Sequence, residues 1–252
     1  MNNNKLLKIN ISILIPLLFL LSTYLLANEA QDILKKVDQN IRGENIYMKM
    51  SMTIKSRGHK RTIKMQSWSQ GDKKSFVKIT YPPRDRGITF LSLDNQMWQY
   101  VPKIERVIKI PPSMMLQNWM GSDITNDDMV KQSSIVEDYH SKILDKKGNI
   151  VTIELIPKDE ATVVWGKIII NVDISTYTSV KDIFYDEDKE KVRIFTYENV
   201  KKFGKYNIPT HWKIQSVDKK DSYTVIDIED VKYDTEISDQ YFKKSALKRF
   251  SR

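Results

Sequence analysis

Two periodicities divide the chain. In "EAQDILKKVDQNIRGEN", Ala30, Ile33, Leu34, Val37 and Ile41 recur at helical spacing and make one apolar stripe. Gly43 stands just past the last of them, where a C-terminal cap belongs. The period then drops to two. "IYMKMSMTIK" sets Ile46, Met48, Met50, Met52 and Ile54 on one face and Tyr47, Lys49, Ser51, Thr53 and Lys55 on the other. "SRGHK" turns that strand back, and "RTIKMQSWS" is its hairpin partner. The same reading continues through "KSFVKITY", "ITFLSL", "QMWQYVP" and "ERVIKI". After a short helix it resumes in "SKILD", "IVTIELIP", "WGKIIINVD", "VKDIFYD", "VRIFTYENV", "PTHWKIQSV" and "YTVIDIEDVKYD". "DKKGN", "DEDKEK", "KFGKYN" and "VDKKDS" carry turn residues between them. "SDQYFKKSALKR" closes the chain as a short helical or irregular tail.

About a dozen strands with hairpin-length links and few helices predict a mainly β (α+β) fold. Its centre is one large antiparallel sheet, strongly curved or nearly closed. The stripe of the first helix is a natural cover for the apolar face. Residues 28–252 contain no linker, low-complexity segment or clear repeat, so they are expected to form a single domain.

Residues 1–27 are of another kind. Lys5 and Lys8 precede the apolar run "INISILIPLLFLLSTYLLA", which ends at Ala27 before polar "NEAQD". That order is a secretory signal peptide cleaved after Ala27, and it predicts a soluble periplasmic protein. The alternative is an uncleaved membrane anchor, since the run nearly suffices to span a bilayer. With no cysteine, a lipidated leader is excluded and stability rests on packing without disulfides. The net charge of +9 points to an anionic membrane surface, an acidic lipid or an acidic partner, and away from nucleic acid in a secreted protein; solubility alone is the plainer reading.

Catalytic and metal motifs are missing from the sequence. His59, His140 and His211 lie far apart, without zinc spacing. There is no nucleophile elbow, P-loop or dinucleotide fingerprint. "GSDITNDD" groups Asp123, Asp127 and Asp128 but lacks the glycine and the closing glutamate of an EF-hand loop. It reads best as a helix start. Thr125 stands three residues before Asp128, as in a capping box, and acids favour the positive helix end. On that reading Thr125→Ala costs about 1 kcal/mol. Asp127→Asn and Asp128→Asn cost less, about 0.3–1 kcal/mol each. Cation binding and acid–base catalysis are the alternatives. In "YPPRDRGITFL", an Arg–Asp pair in a solvated turn stands against a loop that meets an acidic headgroup or the "SDITNDD" acids.

The distinctive feature is pliable apolar surface. Met48, Met50 and Met52 share a strand face, and Met114, Met115, Trp119 and Met120 follow "PP". Methionine suits surfaces that accept varied apolar shapes, although it also fills gaps in ordinary cores.

From Trp68 to Asp128, "GDKKSFVKITYPPRDRGITFLSLDNQMWQYVPKIERVIKIPPSMM" with "WMGSDITNDDM" resembles the outer-membrane lipoprotein-sorting family, the LolA-like periplasmic carriers, in a divergent branch. Arg86 and Gly87 of "DRG", the "MWQYVPKIERV" unit and "MGSDITNDD" carry the resemblance. It implies an incomplete antiparallel barrel covered by an N-terminal helix and short lid helices, with a concave interior that holds acyl chains of a lipoprotein or another membrane lipid. It implies no cofactor and no catalysis. An inner-membrane transporter would donate the cargo and an outer-membrane acceptor would receive it. The expected carrier is a monomer whose lipid-binding residues are Met48, Met50, Met52, Met65, Trp98, Met114, Met115, Trp119 and Met120. The alternative is a non-enzymatic periplasmic adaptor of an envelope lipid transporter, its barrel filled by its own side chains. The arginine that latches the lid in such carriers has no motif by which to place it here.

Overall fold

The computed structural model describes residues 29–252 apart from 57, 132–134, 162 and 220. The leader expected over residues 1–27 lies outside the described residues. Among those described, no helix is long and apolar enough to cross a membrane.

Helix α1 covers residues 29–42. Ala30, Ile33, Leu34 and Val37 are buried along it, and Gly43 ends it with φ +55° and an N–H donated to Gln39 O at 2.8 Å. Glycine is required there, because a Cβ would also stand 2.8 Å from the Tyr233 ring.

The strands are β1 (Asn45–Ser56), β2 (His59–Gln70), β3 (Lys74–Tyr81), β4 (Thr89–Leu93), β5 (Gln96–Val101), β6 (Arg106–Lys109), β7 (Tyr139–Lys147), β8 (Ile150–Pro157), β9 (Lys167–Asp173), β10 (Thr178–Tyr185), β11 (Lys191–Phe203), β12 (Tyr206–Ser216) and β13 (Tyr223–Tyr233). They form one 13-stranded sheet in the order β6-β5-β4-β3-β2-β1-β13-β12-β11-β10-β9-β8-β7. Neighbours run antiparallel, and the sheet does not close into a barrel. Every strand read from the period-two pattern is present.

A bulge keeps the alternation useful where the sequence breaks it. In "IDIEDVKY" the apolar Ile226, Ile228 and Val231 fall out of step by one residue. The register shifts there, pairing Lys49 with Asp230 and Met50 with Ile228, so all three apolar residues are buried with β1.

The order of strands dictates the lid. β6 and β7 are consecutive in sequence but occupy opposite edges of the sheet. The chain between them therefore has to travel from one edge to the other, and it does so over the apolar inner face. It contains two single 3-10 turns, Pro112–Met114 and Trp119–Gly121, then α2 (Asn126–Lys131) and α3 (Ile135–Asp138). Ile110, Trp119, Ile124 and Val130 of this crossing are buried against the residues of β1, β2, β12 and β13. The other half of the inner face, from β8 to β10, is covered by the stripe of α1.

Among the described residues, the outer face is covered over β3 to β5. Phe76, Leu91, Trp98 and Tyr100 of β3 to β5 bury against Ile237, Phe242, Ala246 and Leu247 of the C-terminal tail. The tail forms a 3-10 turn, Asp239–Phe242, and α4 (Lys244–Arg249). Thr89 fixes it by donating its hydroxyl to Leu247 O at 2.7 Å. Gly87 of "DRG" passes beneath the chain end: its φ is +84°, and a Cβ would lie 2.5 Å from Ser251 O.

Candidate functional site

Between α1, the inner face and the crossing segment lies a cavity of about 300 Å³. Met48, Met50, Met52 and Met65 form one wall, where β1 pairs with β2 and Met50 stands opposite Met65. Leu34, Val37 and Ile41 of α1 and Trp119, Ile124, Met129 and Val130 of the crossing close it from above. Trp165, Phe184, Phe195 and Tyr197 line the part built by β9 to β11.

Five of the nine residues expected to bind lipid therefore meet around one space: Met48, Met50, Met52, Met65 and Trp119. The other four do not line it. Met115 and Met120 pack half-buried against the core under the crossing, and Met114 is exposed. Trp98 faces outward beneath the C-terminal tail, where the Lys244 ammonium lies 4.7 Å from its ring. Its neighbour Met97 faces inward instead, because adjacent residues of a strand point to opposite faces.

Asp123 and Asp128 of "GSDITNDD" are held in place by hydrogen bonds. The Asp128 N–H donates to Thr125 Oγ1 at 3.1 Å, and Asp128 Oδ2 accepts from the Thr125 N–H at 2.7 Å. This is the reciprocal capping box at the start of α2. Asp123 accepts from the Thr224 hydroxyl at 2.7 Å and from the Ser216 hydroxyl at 3.3 Å, which ties the crossing to β12 and β13. With the acids so engaged, Thr125→Ala is expected to lower stability by about 1 kcal/mol, a few degrees in a thermal melt. Added calcium is expected to leave the parent's melting curve unchanged. A calcium-dependent rise that disappears in Asp123→Asn would instead identify a cation site.

One partner of these acids had no motif to announce it. Arg193 on β11 is almost fully buried, and its guanidinium donates to both carboxylate oxygens of Asp128, Nη1 to Oδ2 at 2.7 Å and Nη2 to Oδ1 at 2.8 Å. Nη1 also donates to Asp123 O at 2.9 Å. The rings of Trp165, Phe184 and Phe195 lie 4.6, 5.0 and 5.0 Å from the guanidinium carbon. A single side chain of the sheet thus holds the start of α2 down over the cavity. The signal was present in "VRIFTYENV": Arg193 shares its strand parity with Phe195 and Tyr197.

The second hidden group is Asp182 of "VKDIFYD". It shares parity with Phe184, is buried, and lines the cavity. Tyr197 donates its hydroxyl to Asp182 Oδ2 at 2.7 Å. Burial pushes this carboxyl up to about 7, against the hydrogen bonds from Tyr197 and Ser179 that favour its ionised form. Burial and the Asp182 charge together hold the Tyr197 hydroxyl well above the usual phenol range. None of the three histidines lines the cavity. His211 pairs with Asp227 at 2.7 Å elsewhere on the sheet.

A family model described as "Uncharacterized protein" matches residues 71–249. No curated protein matches the chain. Three solved structures share the fold over nearly their full length. A DUF1329 family protein from Desulfovibrio piger is 22% identical with a TM-score of 0.81, covering 88% of this chain and 99% of that one. An outer membrane lipoprotein-sorting protein domain from Vibrio parahaemolyticus is 24% identical with a TM-score of 0.78, covering 88% and 100%. A LolA superfamily protein from Nitrosomonas europaea is 22% identical with a TM-score of 0.72, covering 86% and 98%.

Proposed function

Since the chain belongs to the family whose model spans residues 71–249 and shares the fold of a LolA superfamily protein, we propose that it is a divergent LolA-like periplasmic carrier, sheltering acyl chains of a lipoprotein or another membrane lipid on the way toward the outer membrane. The observation that carries this reading is the apolar cavity beneath a crossing segment that one buried ion pair holds down. The chemistry is shielding. Each buried CH₂ contributes about 0.8 kcal/mol, so a chain is retained as long as the space stays dry. About 300 Å³ lies at the low end of small-molecule sites and suits a single chain. Release follows when the crossing segment lifts or an acceptor offers a better pocket. No step of this cycle calls for catalysis or a cofactor. A monomer suffices, with a membrane transporter as donor and an outer-membrane protein as acceptor.

The adaptor reading asks for an interior filled by the protein's own side chains, and the cavity favours the carrier over it.

Met50→Lys tests the proposal. Met50 is half-buried and lines the cavity. A lysine there can lay its apolar stem along the wall, but its ammonium enters the space and loses its water once an acyl chain fills it. The variant is expected to fold and to lose uptake of a fluorescent fatty acid by at least about tenfold, since a buried unpaired charge costs several kcal/mol. A folded variant with undiminished uptake would remove this wall from the site and the reading with it.

A further inference from the structure

Two acids that line the cavity besides Asp182 are each paired with an arginine. Asp38 pairs with Arg42 and Asp128 with Arg193. Asp182 is 6% exposed, and Tyr197 donates its hydroxyl to Oδ2 at 2.7 Å. Its Oδ1 is buried with no hydrogen-bond partner among the described residues. Across the strands its neighbours are the apolar Ile170 and Phe195. A buried carboxylate oxygen without a donor is costly, and the cost persists unless something entering the cavity supplies one.

We propose that Asp182 is the polar anchor of the cavity: its Oδ1 accepts a hydrogen bond from a hydroxyl or amide N–H borne by an otherwise apolar ligand, so that the site selects amphiphiles with a buried donor over plain hydrocarbon chains. This rests on the carrier reading and narrows its cargo. A neutral donor fits better than an ammonium ion, whose own desolvation would add to that of the carboxylate. Tyr197 prepares the acceptor. By occupying Oδ2 it fixes the plane of the carboxylate and leaves Oδ1 as the free position. The donor would enter along the part of the cavity built by β10 and β11, leaving the hydrocarbon to lie against the methionine wall.

The test compares two ligands of one length, dodecanol and dodecyl methyl ether, which differ in a single donor. Each displaces diphenylhexatriene, a pure hydrocarbon fluorophore, from the full chain at about pH 8.5, where the ionised carboxyl acts only as an acceptor. The alcohol is expected to displace the fluorophore at about tenfold lower concentration than the ether. Without an acceptor the order reverses, because the hydroxyl then loses its hydration for nothing. Asp182→Leu is expected to show that reversed order with the ether unchanged. Should leucine prevent folding, Asp182→Ala makes the same comparison. Equal displacement by both ligands in the parent would overturn the inference and leave the carrier reading intact. A preference that survives in the folded variant would overturn it too, by placing the acceptor elsewhere. A parent that takes up no diphenylhexatriene would overturn the carrier reading and this inference together.

Discussion

Arg193→Leu is expected to destabilise the protein by about 3–5 kcal/mol, because it leaves the Asp128 carboxylate without the cation that was buried against it. For a domain of this size that corresponds to a fall in Tm on the order of 10 °C. Arg193 makes three charge-assisted hydrogen bonds to the crossing segment, two to Asp128 and one to Asp123 O, from within a cage of three aromatic rings. Leucine keeps some contact with the rings and loses all three bonds. The sequence alone ranks Asp128→Asn below Thr125→Ala, since an exposed charge at a helix end contributes about 0.3–1 kcal/mol. The structure inverts that ranking. Asp128 serves the capping box and the ion pair together, so its amide variant weakens both. A double-mutant cycle of Arg193→Leu with Asp128→Asn should return a coupling of at least about 1.5 kcal/mol. The same variants should release a bound fluorescent fatty acid faster than Thr125→Ala does. Melting and release curves within error of the parent's would mean that the crossing is held by its apolar contacts alone and that Arg193 latches nothing.

The sheet could be read because its signal is redundant. Met48, Met50 and Met52 alternate with Lys49 and Ser51, and a strand that alternates so cleanly has one register in which the apolar side is buried. The helix stripe and its glycine cap were legible for the same reason, and so was Thr125 before Asp128. What stayed hidden depends on contacts remote in sequence. Arg193 and Asp128 stand 65 residues apart, and they meet only because β6 and β7 lie at opposite edges and force the chain across the inner face. Trp98 shows the opposite failure. A large aromatic residue in an apolar strand reads as interior, and it is buried, but by the tail residues Ile237, Phe242, Ala246 and Leu247 packing on the outer face. Strands buried on both faces give no parity by which to choose. Arg193 and Asp182 would have been found by asking which charged residues share strand parity with aromatic neighbours, Phe195 and Tyr197 for Arg193 and Phe184 for Asp182, since such charges are seldom buried without a specific partner.

Asp182→Asn should change how stability depends on pH more than any other carboxylate substitution. Burial holds the Asp182 carboxyl at about 7 in the folded chain, against about 3.9 when the chain is unfolded. Between those values the folded protein keeps a proton that the unfolded chain has released, so stability falls as pH rises through that window. Below it both states are protonated and the penalty vanishes; above it both are ionised and the penalty is constant at about 4 kcal/mol. The groups facing the carboxyl are Tyr197 and Ser179, both of which favour its ionised form and fail to offset burial. Asp145 and Asp234, whose carboxyls are held below the usual range by Lys147 and by the Glu44 N–H respectively, act in the opposite direction, but they are solvent-exposed and common to both proteins. Their contribution cancels when the variant is compared with the parent. Asparagine keeps an oxygen for the Tyr197 hydroxyl and carries no charge at any pH. Its advantage over the parent should therefore grow by roughly 2–3 kcal/mol between pH 5 and pH 8.5, read from urea melts at both values. Parallel pH profiles for the two proteins would mean that the carboxyl is hydrated in the folded state, and the anchor proposed for the cargo would then be an ordinary solvated acid.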